Sequence, residues 1–346
     1  MPNTPSSFFD RRRSTKLRPS EFWPDLLWQV PLFLQGFVLG LLRGKLNWFV
    51  RANPGIPWGG MFDAPKSSIL QQLRPQNRPQ GQLIQHENGI PAVPAGLQFP
   101  LIVKPDAGER GRGVYKIGDQ AAWTVLWQQS APGAYLVQNF VPAPYEFGVF
   151  VIRNELGRLR IHSLTWKLPL GVVGDGHSSL EQLLAAHRRA QRFKRFWPSF
   201  TPSELASVPV AGAFVPLHFS GNHSRGATFL NAQSLIDADM EAAFNDLLAP
   251  LEGFYYGRLD AMVAEPADLR HSARIQVLEI NGANAEPAHV YDPDGSWLAG
   301  LLEHFRFQRM MWRVANRNLK AGAKAPTVRA TWQALKAYQQ RPGTTF

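Results

Sequence analysis

Arg258 and Asp260 stand two apart in YGRLDAMV (256–263), and Glu279 and Asn281 stand two apart in QVLEINGANAEP (276–287). Both stretches read as strands, and residues two apart on a strand share a face. Asp260, Glu279 and Asn281 on neighbouring strands make three hard oxygen donors, a set that suits Mg²⁺ bridging triphosphate oxygens. Two carboxylates buried together without a cation would repel each other. Taken singly, each is as readily an ordinary surface carboxylate; the chemistry lies in the set.

A second group lies upstream. In FPLIVKPDAGERGRGVYKI (99–117) an apolar run ends at Lys104, and Gly108, Gly111 and Gly113 follow within a short loop. A lysine ending a buried strand reaches inward only where an anion neutralises it. Successive N–H groups of a glycine loop can cradle phosphate. This is not a Walker A loop, because Val114 and Tyr115 follow Gly113. On its own the stretch is equally a glycine turn with a snorkelling lysine. YLVQNFVPAPYEFGVFVI (135–152) adds a strand whose end could read an adenine edge near Gln138, then a bend, then Glu146 placed for ribose hydroxyls. SLTWKLPLGVVGDG (163–176) ends a strand at Lys167 and enters another glycine loop.

This order of motifs resembles the ATP-grasp superfamily over roughly residues 60–300, nearest the D-alanine–D-alanine ligase, glutathione synthetase and cyanophycin synthetase branches. The resemblance implies ATP and one or two Mg²⁺ ions, with Mn²⁺ as a substitute. Lys104 would contact the α and β phosphates, and Lys66 in DAPKSSIL would be the earlier phosphate lysine. Gln138, Phe140 and Val141 would hold adenine, Glu146 the ribose, and Lys167 the γ-phosphate. Asp260, Glu279 and Asn281 would hold the metal, and Arg258 the transferring phosphoryl group. The implied reaction joins a small-molecule carboxylate to an amine through an acyl phosphate, where cations must offset charge repulsion. Asn284, Glu286, His289 and Tyr291 are expected at the acceptor pocket, with His223 and Arg225 on a substrate carboxylate. His289 is as readily a hydrogen-bonded loop histidine, and 221–229 a plain polar loop.

Two departures stand out. Gln138-Asn139 replaces the acidic–basic pair often seen at the adenine edge. Only 65 residues precede Lys66, where these families carry a full α/β domain that helps hold the acceptor. Phosphotransfer on the same scaffold, or nucleotide binding without turnover, are the competing readings.

The elements that must position these residues follow from periodicity. Strands are expected at 99–104, 134–141, 146–153, 158–167, 254–264 and 274–280. Helices are expected at 177–194, capped by Ser178 with Glu181 in a capping box, and at 237–249, 296–317 and 326–340. Arg188, Arg189, Arg192 and Lys194 read as a solvated face. The fold class is α+β: an ATP-grasp domain at 61–320, with a nucleotide lobe to about 165, a metal lobe beyond it and the nucleotide cleft between. A C-terminal helix and tail occupy 321–346.

Residues 1–20 read as a disordered basic tail. The run LLWQVPLFLQGFVLGLL (26–42) would span roughly 26 Å as a helix, against a hydrocarbon core of ~30 Å. With basic residues from 11 to 51 around it and Trp23, Trp28 and Trp48 nearby, it suits a membrane interface or the protein's own core, with a marginal span as the third alternative. The formal net charge of +11 fits anionic ligands or membranes, and no basic stripe with aromatics points to nucleic acid. The chain has no cysteine, which excludes disulfides, thiol catalysis and Cys-ligated zinc, and fits the cytosol, with the inner face of the membrane as the place its basic N-terminal region suits.

Overall fold

The computed structural model describes residues 8–9, 16–24, 26–42, 44–108 and 113–340. Gly111, Arg11–Arg13 and Arg43 lie outside the described residues.

Two antiparallel sheets carry the fold. Strands β1 (Gly81–His86), β2 (Leu101–Pro105), β3 (Tyr115–Ile117) and β4 (Gly133–Asn139) pair in the order β1-β4-β2-β3. The second sheet joins β5 (Tyr145–Arg153), β6 (Leu159–Leu168), β9 (Thr228–Asn231), β10 (Tyr256–Val263) and β11 (Gln276–Asn281) in the order β11-β10-β5-β6-β9. A two-stranded ribbon, β7 (Gly171–Val173) with β8 (Phe214–Pro216), stands apart from both. The division between sheets therefore falls at 140–144, ahead of the lobe boundary expected near 165, because β5 pairs with β10 and β6 and not with β4.

Alternation along the strands sets the layers. In β10, Leu259, Ala261 and Val263 enter a core with Met240, Phe244 and Leu247 of the helix at Ala238–Leu247. The opposite face of the same sheet packs Phe150 and Tyr256 against Phe307 and Met311 of the helix Trp297–Lys320. The first sheet rests Leu101, Val103 and Val137 on Trp123 and Trp127 of the helix Gln120–Gln129, which Asp119 caps through Ala122 N–H at 2.8 Å.

The apolar run forms a helix over Leu26–Leu41. It is tied to 297–320 by hydrogen bonds from Gln308 Nε2 to Leu32 O (3.1 Å) and from Trp312 Nε1 to Leu39 O (2.9 Å). Its outer face leaves Leu26, Leu27, Leu34 and Leu41 exposed. Among the described residues no helix is long and apolar enough to cross a membrane.

Two expectations need correction. Residues 177–194 do not form one helix: they break at His187 into Leu180–Ala186 and Arg188–Arg192. Ser179, not Ser178, forms the capping box, with Gln182, because Asp175 engages both the Ser178 N–H (2.7 Å) and its hydroxyl (2.7 Å). From residue 16 onward the expected disordered tail is laid on the second lobe. Lys16 pairs with Asp294 at 2.6 Å and Arg18 Nη2 donates to Val290 O at 2.8 Å. Arg189, read as solvated, is buried and makes a two-pronged pair with Glu21, both bonds 2.8 Å.

Candidate active site

Register brings the charged residues together. Asp260 on β10 stands opposite Glu279 on β11 and opposite Gly148 on β5, and Arg258 stands opposite Asn281. A β-bulge follows Asp260 on the β11 side, where local twist increases and side chains are re-aimed. One strand further, Phe147 pairs with Trp166, so Glu146 and Lys167 are next to each other on the site face. Strand pairing alone therefore sets Glu146, Lys167, Arg258, Asp260, Glu279 and Asn281 side by side.

The resulting network is dense. Lys167 Nζ lies 2.6 Å from Asp260 Oδ2 and 3.0 Å from Glu146 Oε1. Arg258 Nε donates to Asp260 Oδ1 at 3.2 Å, and its Nη1 donates to Glu286 O at 3.3 Å. Burial works against the Asp260 carboxylate, but Lys167 and Arg258 outweigh it and hold its pKa below the ordinary range. Burial likewise opposes the Arg258 charge, and Asp260, Glu279 and Glu286 more than restore it.

Two glycines make the space. A Cβ on Gly148 would stand 3.3 Å from Arg258 Cδ and 3.4 Å from Lys167 Cε. A Cβ on Gly221 would stand 2.6 Å from Glu146 Oε2, the oxygen that accepts the Gly221 N–H at 2.9 Å.

Lys104 reaches in from the other sheet. It is buried at the end of β2 and donates to Leu278 O on β11 at 3.0 Å. Burial lowers its pKa to about 8, partly offset by the nearby Glu279. Lys66 opens the short helix Lys66–Gln71; its Nζ donates to Gly108 O and lies 3.7 Å from Glu279 Oε1. Asp106, buried at the mouth of the glycine loop, holds this helix in place through the Ser67 N–H (2.7 Å) and hydroxyl (2.9 Å). Gly113 has φ +68, in the left-handed region that glycine tolerates.

A single cavity of about 1380 Å³ runs between the sheets. Lys104, Glu146, Lys167, Arg258, Asp260 and Glu279 line its charged centre, with Asn281 beside them. Gln138, Phe140 and Val141 line one corner together with Ile102, Met262 and Leu278. Phe140 N–H is bound to Pro100 O at 3.1 Å, and Lys116 Nζ lies 3.9 Å above the Phe140 ring. His223, Asn284, Glu286 and Tyr291 line the cavity too, with Tyr291 donating to Glu286 Oε2 at 2.8 Å. Lys66 and Gly108 border a small adjoining pocket that shares Glu279 and Asn281.

Two expected substrate residues lie elsewhere. Arg225 is turned to His218, Nη1 to Nε2 at 2.6 Å, and does not line the cavity. His289 is buried behind it with Nδ1 2.7 Å from Ser163 Oγ, and burial lowers its pKa to about 4, so it is neutral near pH 7.

Three contributors carry no local sequence signal. Glu21 lines the cavity while bonded to Arg189 and, at 2.8 Å, to His223 Nε2. Asn53 binds Gly59 O (2.9 Å) and Tyr256 O (2.8 Å) and accepts from Tyr255 N and Tyr256 N, so it anchors the start of β10. The loop at 57–60 props up residues 282–285: Ala283 N–H donates to Gly59 O and Asn284 N–H to Gly60 O. Only coordinates reveal such contacts across long stretches of chain.

The donors suit Mg²⁺. Among the described residues no three His, Cys, Asp or Glu side chains group as a self-sufficient metal site. Two paired carboxylates with an amide match an ion held by few protein ligands and completed by phosphate and water.

No family model matches the chain. Over 146 residues it is 27% identical to the glutathione biosynthesis bifunctional protein of Streptococcus mutans, a match covering 36% of this chain and 18% of that one. The chain thus spans well under two thirds of that relative. Its backbone is similar to D-alanine–D-alanine ligase from Bacillus anthracis (12% identity, 74% of this chain and 67% of that one, TM-score 0.43). It is also similar to a bifunctional glutathione synthetase from Pasteurella multocida (13% identity, 72% and 35%, TM-score 0.34). The likeness is thus to ligases and synthetases, at low identity and over about three quarters of the chain in the solved structures.

Proposed function

We propose that the protein is an ATP- and Mg²⁺-dependent carboxylate–amine ligase. The observation that carries this reading is the convergence of Lys104, Lys167 and Arg258 with Asp260, Glu279 and Asn281 on one cavity between two sheets. Adenine occupies the corner formed by Gln138, Phe140, Val141, Met262 and Leu278, and Glu146 holds the ribose. Lys104 and Lys66 neutralise the inner phosphates, and Lys167 the γ-phosphate. Asp260, Glu279 and Asn281 hold Mg²⁺, which when bound supplies further charge neutralisation on the phosphate oxygens.

The substrate carboxylate attacks the γ-phosphorus, the bond to the β-phosphate oxygen breaks, and ADP leaves. The amine then attacks the acyl carbon, inorganic phosphate departs and a proton is released, leaving an amide. Arg258, braced by Asp260 and the Glu286 carbonyl, faces the negative charge that builds up in both steps. Because the pair Lys167–Asp260 is already formed, these cations need little reorganisation when the nucleotide enters.

The test is ADP and phosphate release by the full chain across a panel of acids and amines. Release that needs both partners, with a product linked by an amide, is expected. A stable phosphorylated product that forms without amine would identify a kinase instead, and silence across the panel would defeat the ligase reading.

A further inference from the structure

The cavity is larger than a nucleotide requires. At about 1380 Å³ it exceeds the ~300–1,000 Å³ of sites for single drug-sized ligands. Its second arm has a different chemistry from its centre. The helix 26–41 contributes Trp28, Leu32, Phe33 and Phe37; 297–320 contributes Phe307 and Met311. Trp332 and Leu335 come from the helix Val328–Gln339, and Trp48 and Met61 from the connection. Among the described residues, no Lys, Arg, Asp or Glu of these three helices lines the cavity. Asn47 spends its amide inside the wall, on Pro326 O (2.8 Å) and Thr331 Oγ1 (2.9 Å), as Gln308 does on Leu32 O. At the outer end Phe33 is 72% exposed and Trp332 57% exposed, although both line the cavity. Large apolar side chains held open beside a charged centre mark a place for an apolar ligand.

We propose that the substrate opposite the nucleotide is an amphiphile. Its polar head lies at the Arg258–Asp260 cluster, and its apolar chain runs between the helices 26–41, 297–320 and 328–339. The class of the head group rests on the ligase reading; the apolar arm does not.

The experiment is calorimetric titration of the full-length protein, with ADP and Mg²⁺ present, using n-alkyl carboxylates and n-alkylamines of six to twelve carbons below their micelle concentrations. The dissociation constant is expected to fall about three- to fourfold per added methylene in at least one series. The exposed double substitution Phe33→Asp/Trp332→Asp should flatten that dependence. Leu34→Asp, on the outer face of the same helix and off the cavity, should keep it. Affinity independent of chain length in both series, or an equal slope in the Phe33→Asp/Trp332→Asp protein, would overturn the proposal. ADP titrated alone into the same protein tests the ligase reading separately: no ADP binding would sink that reading and leave the chain-length result standing.

Discussion

Two buried charge clusters in this protein are built alike and differ in how fully their charges are paired. Around Glu21, the Arg189 guanidinium takes both carboxylate oxygens and His223 takes one again, with Glu21 and Arg189 side chains 0% and 2% exposed. Burial there opposes the Glu21 charge, and the bonds from His223 and Arg189 still hold its pKa below the usual carboxylate range. Each charge has its partner. Around Asp260 the charges also meet, and both clusters border the cavity, but here Glu279 has its lysine only at 3.7 Å, and among the described residues Lys104 donates to a backbone carbonyl alone. A closed ion cluster pins a segment in place. An open one, with a lysine left over toward a cavity, has the charge to receive an anion, as the proposed function requires.

Breaking the closed cluster should have the largest effect on stability. Arg189→Met leaves the Glu21 carboxylate buried without its main partner, and the expected cost is about 3–5 kcal/mol, read as a lowered denaturant midpoint. An unchanged midpoint would mean that the two clusters are not different in kind. Glu279→Gln should do the reverse. ADP release falls on the order of 10²–10³-fold, while the midpoint moves little, because a neutral isostere keeps the packing. Lys104 sharpens the contrast through pH. Since burial has lowered its pKa to about 8, the ammonium is present below that value and lost above it. ADP affinity measured by titration should weaken as pH rises through about 8, by up to about tenfold per unit, and Lys104→Gln should abolish that step. A pH-independent affinity in the unaltered protein would separate Lys104 from the phosphates.

The six longer strands that carry the site and the same-face logic are legible because they rest on a period of two, whereas β1, β3, β7, β8 and β9 are not expected from the sequence; Arg258 with Asp260 and Glu279 with Asn281 need only the alternation of one strand. Lys167 and Glu146 were each visible as strand-end charges, yet their pairing depends on the β5–β6 register, which local sequence does not encode. The boundary between the two sheets at 140–144 has no local signal for the same reason, since sheet membership is decided by long-range pairing. His289 is expected from its place after the metal strand and Arg225 from the resemblance of the loop 221–229 to one in cyanophycin synthetases; their side chains find Ser163 and His218. Arg189 followed the rule that arginine runs on short helices are solvated; a counterion 168 residues away reverses it.

The bond from Lys104 to Leu278 O crosses from one sheet to the other. The ammonium that fastens the two halves together is the one expected to grip the inner phosphates, and it cannot serve a carbonyl and a phosphate at full strength together. A polyphosphate entering the crevice would compete with the Leu278 carbonyl for this one ammonium, so the bridge between the sheets and the grip on the nucleotide draw on the same charge.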